Sequence, residues 1–346
     1  MTRRPTIVDV AREAGVSKGL VSLALNDRPG VNATTRERIH RVAADIGWRP
    51  NPAARGLTNR RAYALGLVVR RDPRIIEVDP FFASFISGLE TVLSERGQVL
   101  VLSLVGDHDA EERAYRTLAA DARVDGFIVT DLLAGDPRIE LIAELGVHAV
   151  TLGEPDVPTA FPAVRRDYAP GIHELVRYLV GLGHERIAHV SGPESMLHGH
   201  ERRQLFADAA LEAGVDAVVV PTDFSPEQGA AATEQLLDLA ERDRPTAIVY
   251  GNDPMAIAGM SVAQHRGLRV PDDLSVTGLD GSQIGRLVFP ALTTLDNDPA
   301  EWGRIVAATL LDLVDGTTPV DRALHPAGLI VRGSTGAPPT RQHTTA

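Results

Sequence analysis

From residue 62 onward the chain alternates between two patterns. Short apolar runs, "ALGLVV" (64–69), "VLVLSLV" (99–105), "DGFIVT" (125–130), "HAVTL" (148–152), "RIAHVS" (186–191), "DAVVVP" (216–221), "TAIVYG" (246–251) and "LSVTGLD" (274–280), are separated by longer segments with helical spacing of their apolar positions. Short, nearly continuous apolar runs suit strands buried on both faces. Strand–helix alternation of this kind predicts parallel sheets with helices on both sides. The runs are too many for one comfortable sheet, so two α/β lobes are expected over residues 62–335.

Residues 1–50 follow a different pattern. Ile7, Val10, Ala11 and Ala14 recur on one face of a first helix, opened by Thr6 and Asp9 as a capping box and stopped by Gly15. Ser17 suits the N-cap of a second helix to about Leu25, with Val21, Ala24 and Leu25 inward and Lys18, Gly19, Ser22 and Leu23 outward. Asn32 caps a third helix whose buried face is Ile39, Val42, Ala43 and Ile46; Gly47 ends it, and Trp48 is expected to pack beneath the bundle. Two short helices joined by a tight Gly-containing turn make a helix-turn-helix unit. The predicted fold class is a small all-α helix-turn-helix head plus an α/β two-lobed body with parallel sheets.

Two segments flank the body. In "NPAARGLTNRR" (51–61), Asn51 is a good N-cap and Pro52 suits the first helical position. Gly56 costs such a helix about 1 kcal/mol relative to Ala. A helix of under two turns is marginal alone, so this one is expected to order only when held. The tail "GAPPTRQHTTA" (336–346) reads as disordered and carries no leucine heptad for a coiled-coil tetramer.

Charge changes the picture more than composition does. The chain of 346 residues is 44% hydrophobic and 23% charged, a globular balance, with a net charge of −11. Taken whole, that charge argues against a polyanionic partner. Residues 1–61, however, hold 12 Lys and Arg against 5 Asp and Glu, so the entire acid surplus belongs to the body. A basic head on an acidic body predicts that the head alone meets nucleic acid. Arg3, Arg4, Arg36, Arg55, Arg60 and Arg61 are candidate phosphate contacts. Cysteine is absent, which excludes disulfides and thiolate metal sites. No run reaches the roughly 18 apolar residues of a membrane span, and "MTRRPTIVDVA" lacks an apolar signal core, so a cytoplasmic protein is expected.

The stretches "TIVDVAREAGVS", "VSLALND", "TTRERI", "GWRPNPAARGL", "GHERIAHVSGP", "YGNDPMAIAG", "RVPDDLSVTGLD", "PALTTLDND" and "VRGST" run in order along the chain. Together they resemble the lactose-repressor/galactose-repressor (LacI/GalR) family of bacterial transcriptional regulators, from about Thr6 to Thr335. The resemblance implies a homodimer that sets two recognition helices in successive major grooves of a pseudo-palindromic operator. It implies DNA contacts from Thr6, Ser17, Lys18, Gly19, Ser22 and Leu23, and from a hinge helix carrying Asn51, Ala54, Arg55 and Leu57. The leucine matching Leu57 wedges into the minor groove, at a cost of a few kcal/mol of unstacking repaid by a larger contact. Family members often have arginine at Leu23 and threonine at Leu20. Leu23 cannot make a bidentate guanine contact but suits a thymine methyl, which leaves Lys18 as main reader and Ser22 on a phosphate.

For the body, the resemblance implies a periplasmic-binding-protein-like fold crossing between lobes near residues 162, 294 and 322. Lobe 1 is then about 62–162 and 294–322, and lobe 2 about 163–293 and 323–335. Ligands of open parallel sheets sit at the carboxyl ends of strands. Asp167, Arg202, Phe224, Asn252 and Asp280 fall there and match the family's effector-contacting positions, while Phe81 and Phe82 in "DPFF" are expected on the opposite wall. Carboxylates, Arg, Asn and an aromatic ring suit a small polyol, so the expected effector is a sugar or sugar derivative. Leu205 in "RRQLF" replaces the family's usual glycine, putting bulk near the cleft. "HGH" at 198–200 reads as solvated loop.

Three functions fit these features. The first is a ligand-controlled repressor, and the second a repressor with a degenerate pocket, which ligand-induced melting shifts would exclude. The third is a sugar-binding protein with no regulatory role, which would not need the head. G-x-S-x-G, G-x-x-x-x-G-K-[ST] and H-E-x-x-H are absent, so no catalytic residues, cofactor or metal are expected. Whether the effector relieves or enforces repression is open.

Overall fold

The structure, a computed structural model, describes residues 5–25, 28–48 and 61–339. It divides into two compact units, Met1–Arg61 and Ala62–Ala346.

The first unit holds three helices: α1 (Ile7–Ala14), α2 (Lys18–Leu25) and α3 (Ala33–Asp45). Each begins where a side chain takes up backbone donors that the helix cannot satisfy itself. The Asp9 carboxylate accepts from the Thr6 amide at 2.8 Å and from its hydroxyl at 2.7 Å. Ser17 Oγ accepts from Leu20 N at 3.2 Å, and Asn32 Oδ1 from Thr35 N at 2.8 Å. Gly15 ends α1 at φ 65°, a left-handed turn open to glycine at no steric cost. Val10, Val21, Ala24 and Ile39 are fully buried, and Val42, Ile46 and Trp48 pack around them. Alanines at the contacts let three short helices approach closely enough to share so small a core.

In the second unit the apolar runs form strands, and the sheets are parallel as expected. Strands β1 (Ala64–Arg70), β2 (Val99–Val105), β3 (Gly126–Val129), β4 (His148–Leu152), β5 (Ala163–Arg165) and β11 (Arg322–Ala323) form one sheet in the order β11-β5-β4-β3-β1-β2. Strands β6 (Arg186–Ser191), β7 (Asp216–Pro221), β8 (Ala247–Tyr250) and β9 (Ser275–Thr277) form the second, in the order β7-β6-β8-β9. A two-stranded antiparallel ribbon pairs β10 (Thr294–Asp296) with β12 (Gly328–Ile330).

Helices cover both faces of each sheet. Around the first are α4 (Pro73–Val78), α5 (Pro80–Glu95), α6 (His108–Ala120), α7 (Pro137–Glu144) and α12 (Pro299–Val314). Around the second are α8 (Ala169–Gly181), α9 (Leu197–Ala213), α10 (Pro226–Leu237) and α11 (Asp253–His265). Phe85, Leu89, Val306 and Leu310 of α5 and α12 meet Leu65 and Leu67 on one face of the first sheet, while Tyr115 and Ile142 meet Val68 and Phe127 on the other. Burial on both faces explains why β1 reads as an uninterrupted apolar run.

The chain passes between the sheets three times: after β5, at 166–168; after β10, at 297–298; and between β11 and β12, at 324–327. The first and third passages lie a few residues beyond 162 and 322, because β5 and β11 still belong to the first sheet. The passages are tied to one another. Arg166 donates to Glu301 at 2.6 Å, Tyr168 Oη and Trp302 Nε1 both donate to Asn297 Oδ1, and Ala327 N donates to the Asp167 carbonyl. Residues 336–339 of the expected tail lie among the described residues. Gly336 donates to Ser275 Oγ at 3.0 Å, and its carbonyl lies 3.0 Å from His184 Nε2, so it is held against the second sheet.

Candidate functional site

On the head, α2 exposes Lys18 and Gly19, while Ser22 and Leu23 are half-buried. The Leu23 carbonyl accepts from Arg28 N at 2.9 Å, and its side chain lies beside Gly30, where an added Cβ would be 4.0 Å from its methyl carbon. Arg36, expected on a phosphate, donates instead to the carbonyls of Ala24 at 3.4 Å and Arg28 at 2.9 Å. There it neutralises the carbonyl end of α2. Thr6 and Ser17 are exposed, with their hydroxyls engaged in the caps of α1 and α2. Asn51, Ala54, Arg55 and Leu57, and with them the expected hinge helix, lie outside the described residues, as do Arg3, Arg4 and Arg60.

In the second unit a cleft of about 810 Å³ opens between the carboxyl ends of the two sets of strands. Phe81, Asp167, Arg202, Phe224, Asn252 and Asp280 all line it. Phe82 does not. Neighbouring residues of a helix point about 100° apart. With Phe81 at the start of α5 facing the cleft, Phe82 turns into the core, edge-on to it at 5.5 Å.

On the first lobe the cleft is organised by Arg71, directly after β1. Its Nε and Nη2 donate to the two Asp131 oxygens at 2.6 and 2.7 Å, and Nη1 lies 3.6 Å from Asp79. Its guanidinium lies 5.4 Å from the Phe82 ring centre and 5.6 Å from that of Phe224. Burial opposes the charges of both partners of this bidentate pair. The pairing outweighs it, holding Arg71 above the ordinary arginine pKa and Asp131 below the ordinary carboxylate value. The strand-end rule that selects Asn252 and Asp280 also selects Arg71 and Asp131, but in "RRDPR" and "TDLLAGDP" they stand among other charges that hide them.

On the second lobe Arg202 donates to the Gly251 carbonyl at 3.0 Å, lies 3.6 Å from Asp280, and sits 4.5 Å from the centre of the Tyr168 ring. Burial, with the Asp253 carboxylate as second cause, pushes Asp280 up to about 7. The Asp280 Oδ2 accepts from Asp253 N at 3.0 Å. Asn252 spends its hydrogen bonds internally: Oδ1 caps α11 at Met255 N, and Nδ2 donates to the Phe224 carbonyl at 2.9 Å. It thereby holds Phe224 at φ 71°, a left-handed conformation that phenylalanine adopts only when constrained. The Phe224 ring lies over Gly192, where an added Cβ would approach to 1.9 Å.

Two expectations fail here. "HGH" is not loop but the first turns of α9, and the His198 ring lines the cleft, parallel to Phe224 at 5.4 Å. Burial drives its pKa down to about 3, which keeps the imidazole neutral. Leu205 does not line the cleft. It packs into the second lobe against the core that includes Ile172, Leu175 and Phe206. The lobes also touch at the mouth, where Leu197 N donates to the Leu132 carbonyl at 2.8 Å and Ala134 N to the Ser195 carbonyl at 3.1 Å.

Comparison with known proteins places this geometry in a family. Residues 6–51 match bacterial regulatory proteins of the lacI family, and residues 176–335 match the periplasmic binding protein-like domain. The HTH-type transcriptional regulator CelR of Thermobifida fusca is 34% identical over 340 residues, covering 96% of this chain and 98% of CelR. A solved CelR–cellobiose complex aligns with a TM-score of 0.72 at 33% identity, over 96% of this chain and 100% of that one. The lac repressor dimer bound to operator and the anti-inducer ONPF aligns with a TM-score of 0.83 at 28% identity, over 97% and 100% of the two chains. The chain therefore belongs to the LacI family of bacterial transcriptional regulators.

Proposed function

We propose that the protein is a dimeric, cytoplasmic, non-enzymatic repressor whose hold on a pseudo-palindromic operator is set by a small polyhydroxylated effector in the cleft. The observation that carries this reading is the pairing, in one chain, of a helix-turn-helix head with a cleft built from Arg–Asp pairs and aromatic rings. Lys18, Gly19, Ser22 and Leu23 read the major groove, Thr6 and Ser17 position the helix, and Asn51, Ala54, Arg55 and Leu57 act at the operator centre. Phe81, Asp167, Arg202, Phe224 and Asp280 contact the effector, and Asn252 fixes Phe224. The effector rotates the lobes about the three passages. Shifting operator affinity 100-fold requires about 2.7 kcal/mol of differential affinity between the two lobe arrangements.

Dimerisation is supported by apolar side chains left open to water. Phe289 is 92% exposed and Leu287 83% exposed, and Val99, Leu102 and Leu104 are exposed on the edge strand β2. The CelR–cellobiose complex supports a sugar as effector, and the operator-bound lac repressor dimer supports the DNA-bound assembly. The test is selection of bound sites from a random DNA pool, with and without sugars. Enrichment of a palindrome with a kinkable centre is expected. No enrichment under any condition would overturn the reading.

A further inference from the structure

We infer that the effector is an uncharged oligosaccharide of two or more rings, and that phosphorylated or carboxylated sugars are rejected by the cleft's own carboxylates. This rests on the reading of the cleft as an effector site and names the ligand chemistry that the site accepts. A protein binds an anionic group with arginine forks or with helix N-termini. Both devices are present around this cleft, and resident carboxylates already occupy the arginines and three of the helix N-termini.

Every arginine lining the cleft is committed to a carboxylate. Arg71 is forked onto Asp131 with Asp79 beside it, Arg202 faces Asp280, Arg165 donates to Glu154 at 2.6 Å, and Arg166 donates to Glu301 at 2.6 Å. Three helix N-termini at the cleft are occupied in the same way, while α9 opens there without a side-chain cap, its Leu197 N already donating to the Leu132 carbonyl. Asp79 accepts from Phe81 N at the start of α5, and Asp167 accepts from Ala169 N at the start of α8. Asp280 accepts from Asp253 N at the start of α11. The lining carries seven carboxyl groups against four guanidiniums, three of the acids (Asp79, Glu201 and Asp280) having their pKa raised by burial, so no cation is left over for an incoming anion.

The groups left unsatisfied point the same way. Arg202 Nε and Arg166 Nε are buried donors without a partner among the described residues, and so is the Thr130 hydroxyl in the cleft wall. The carboxylates of Asp131, Asp79 and Asp280 also line the cleft, and a carboxylate has about four acceptor sites. A group that both donates and accepts can serve donors and acceptors lining one cleft, and a sugar hydroxyl does so without bringing charge. Phe81 and Phe224 offer apolar surface for a ring's C–H face. A volume of about 810 Å³ lies in the upper part of the range for drug-sized ligands, with room for more than one sugar ring.

Calorimetry on the full-length protein with matched pairs tests this: cellobiose, maltose and trehalose, each against its 6-phosphate. A neutral disaccharide is expected to bind, and its phosphate to bind at least about 100-fold more weakly. In Asp131→Asn, which releases the Arg71 fork from a charged partner, that ratio is expected to narrow at least about tenfold. A phosphate that binds as tightly as its neutral parent, or a ratio unchanged in Asp131→Asn, overturns the inference while leaving the effector site standing. If none of the six binds while the protein still selects an operator, the effector reading falls and the inference with it.

Discussion

Thr294 donates its hydroxyl to Asp253 Oδ1 at 2.7 Å, joining the strand that returns the chain to the first lobe to the helix that opens at the cleft. The same carboxylate accepts from Asp280 N at 3.1 Å and from Ser282 N at 2.8 Å, and Asp253 is wholly buried. One side chain thus connects a cleft-lining segment to a passage between lobes. Asp253→Ala would orphan three buried donors, each worth about 1–3 kcal/mol. A loss of at least about 3 kcal/mol in denaturant unfolding of the body is expected. Thr294→Val, which removes one bond, is expected to cost about 1 kcal/mol and to weaken the effect of ligand on operator affinity more than ligand binding itself. Equal losses in the two would contradict a transmitting role.

Asp280 predicts a pH dependence. Its raised pKa means that the folded protein holds this proton more tightly than the unfolded chain does. The associated stability is complete below the ordinary carboxyl range and is lost as pH rises through about 7. The groups that set this shift are Asp253, Arg202 and Asp79, beyond burial itself. An effector hydroxyl donates better to the ionised form, so sugar affinity is expected to rise severalfold between about pH 6 and about pH 8. Asp280→Asn is expected to flatten the profile. Identical profiles for the two proteins, measured by calorimetry, would count against this placement of Asp280 on the ligand.

Gly192 is the seat of Phe224. Gly192→Ala places a methyl group where the ring now lies, forcing a repacking that costs about 1–3 kcal/mol. Sugar affinity is expected to fall at least about tenfold, with operator binding by the unliganded protein unchanged. Unaltered sugar affinity would show that Phe224 does not form the floor of the site.

For the head, Leu23→Ala is expected to relax selection at a single thymine in each half-site, and Lys18→Ala to weaken one further base position, each by about 1–3 kcal/mol. Sequencing of selected sites reads both effects. A Leu23→Ala profile identical to wild type at every position would remove Leu23 from base reading. Operator affinity should also fall steeply between roughly 50 and 200 mM salt.

Much of the fold is legible because the long strands are nearly continuous apolar runs, each head helix carries its own cap, and Gly15 and Gly47 stop α1 and α3. The short strands β5, β10, β11 and β12 hold two or three residues each, too few for a period to show. That is why the passages were expected early. In the site, Asn252 and Asp280 stand out directly after strands, whereas Arg71 and Asp131 do so only once their neighbours' charges are discounted. The place of His198 is hidden because α9 follows Met196, which offers no side-chain cap, so nothing in the sequence announces a helix there. Leu205 and Phe82 show the limit of arguing from proximity. A one-residue step along a helix turns a side chain from the cleft into the core.

The most direct test of the account is operator affinity titrated with a neutral disaccharide that binds the wild-type protein, repeated in Arg202→Ala. The account predicts that the sugar changes wild-type operator affinity at least about tenfold, or about 1.4 kcal/mol, and leaves that of Arg202→Ala unchanged. A sugar that binds the wild type without altering operator affinity, or an equal response in both proteins, would contradict control of the head through this cleft.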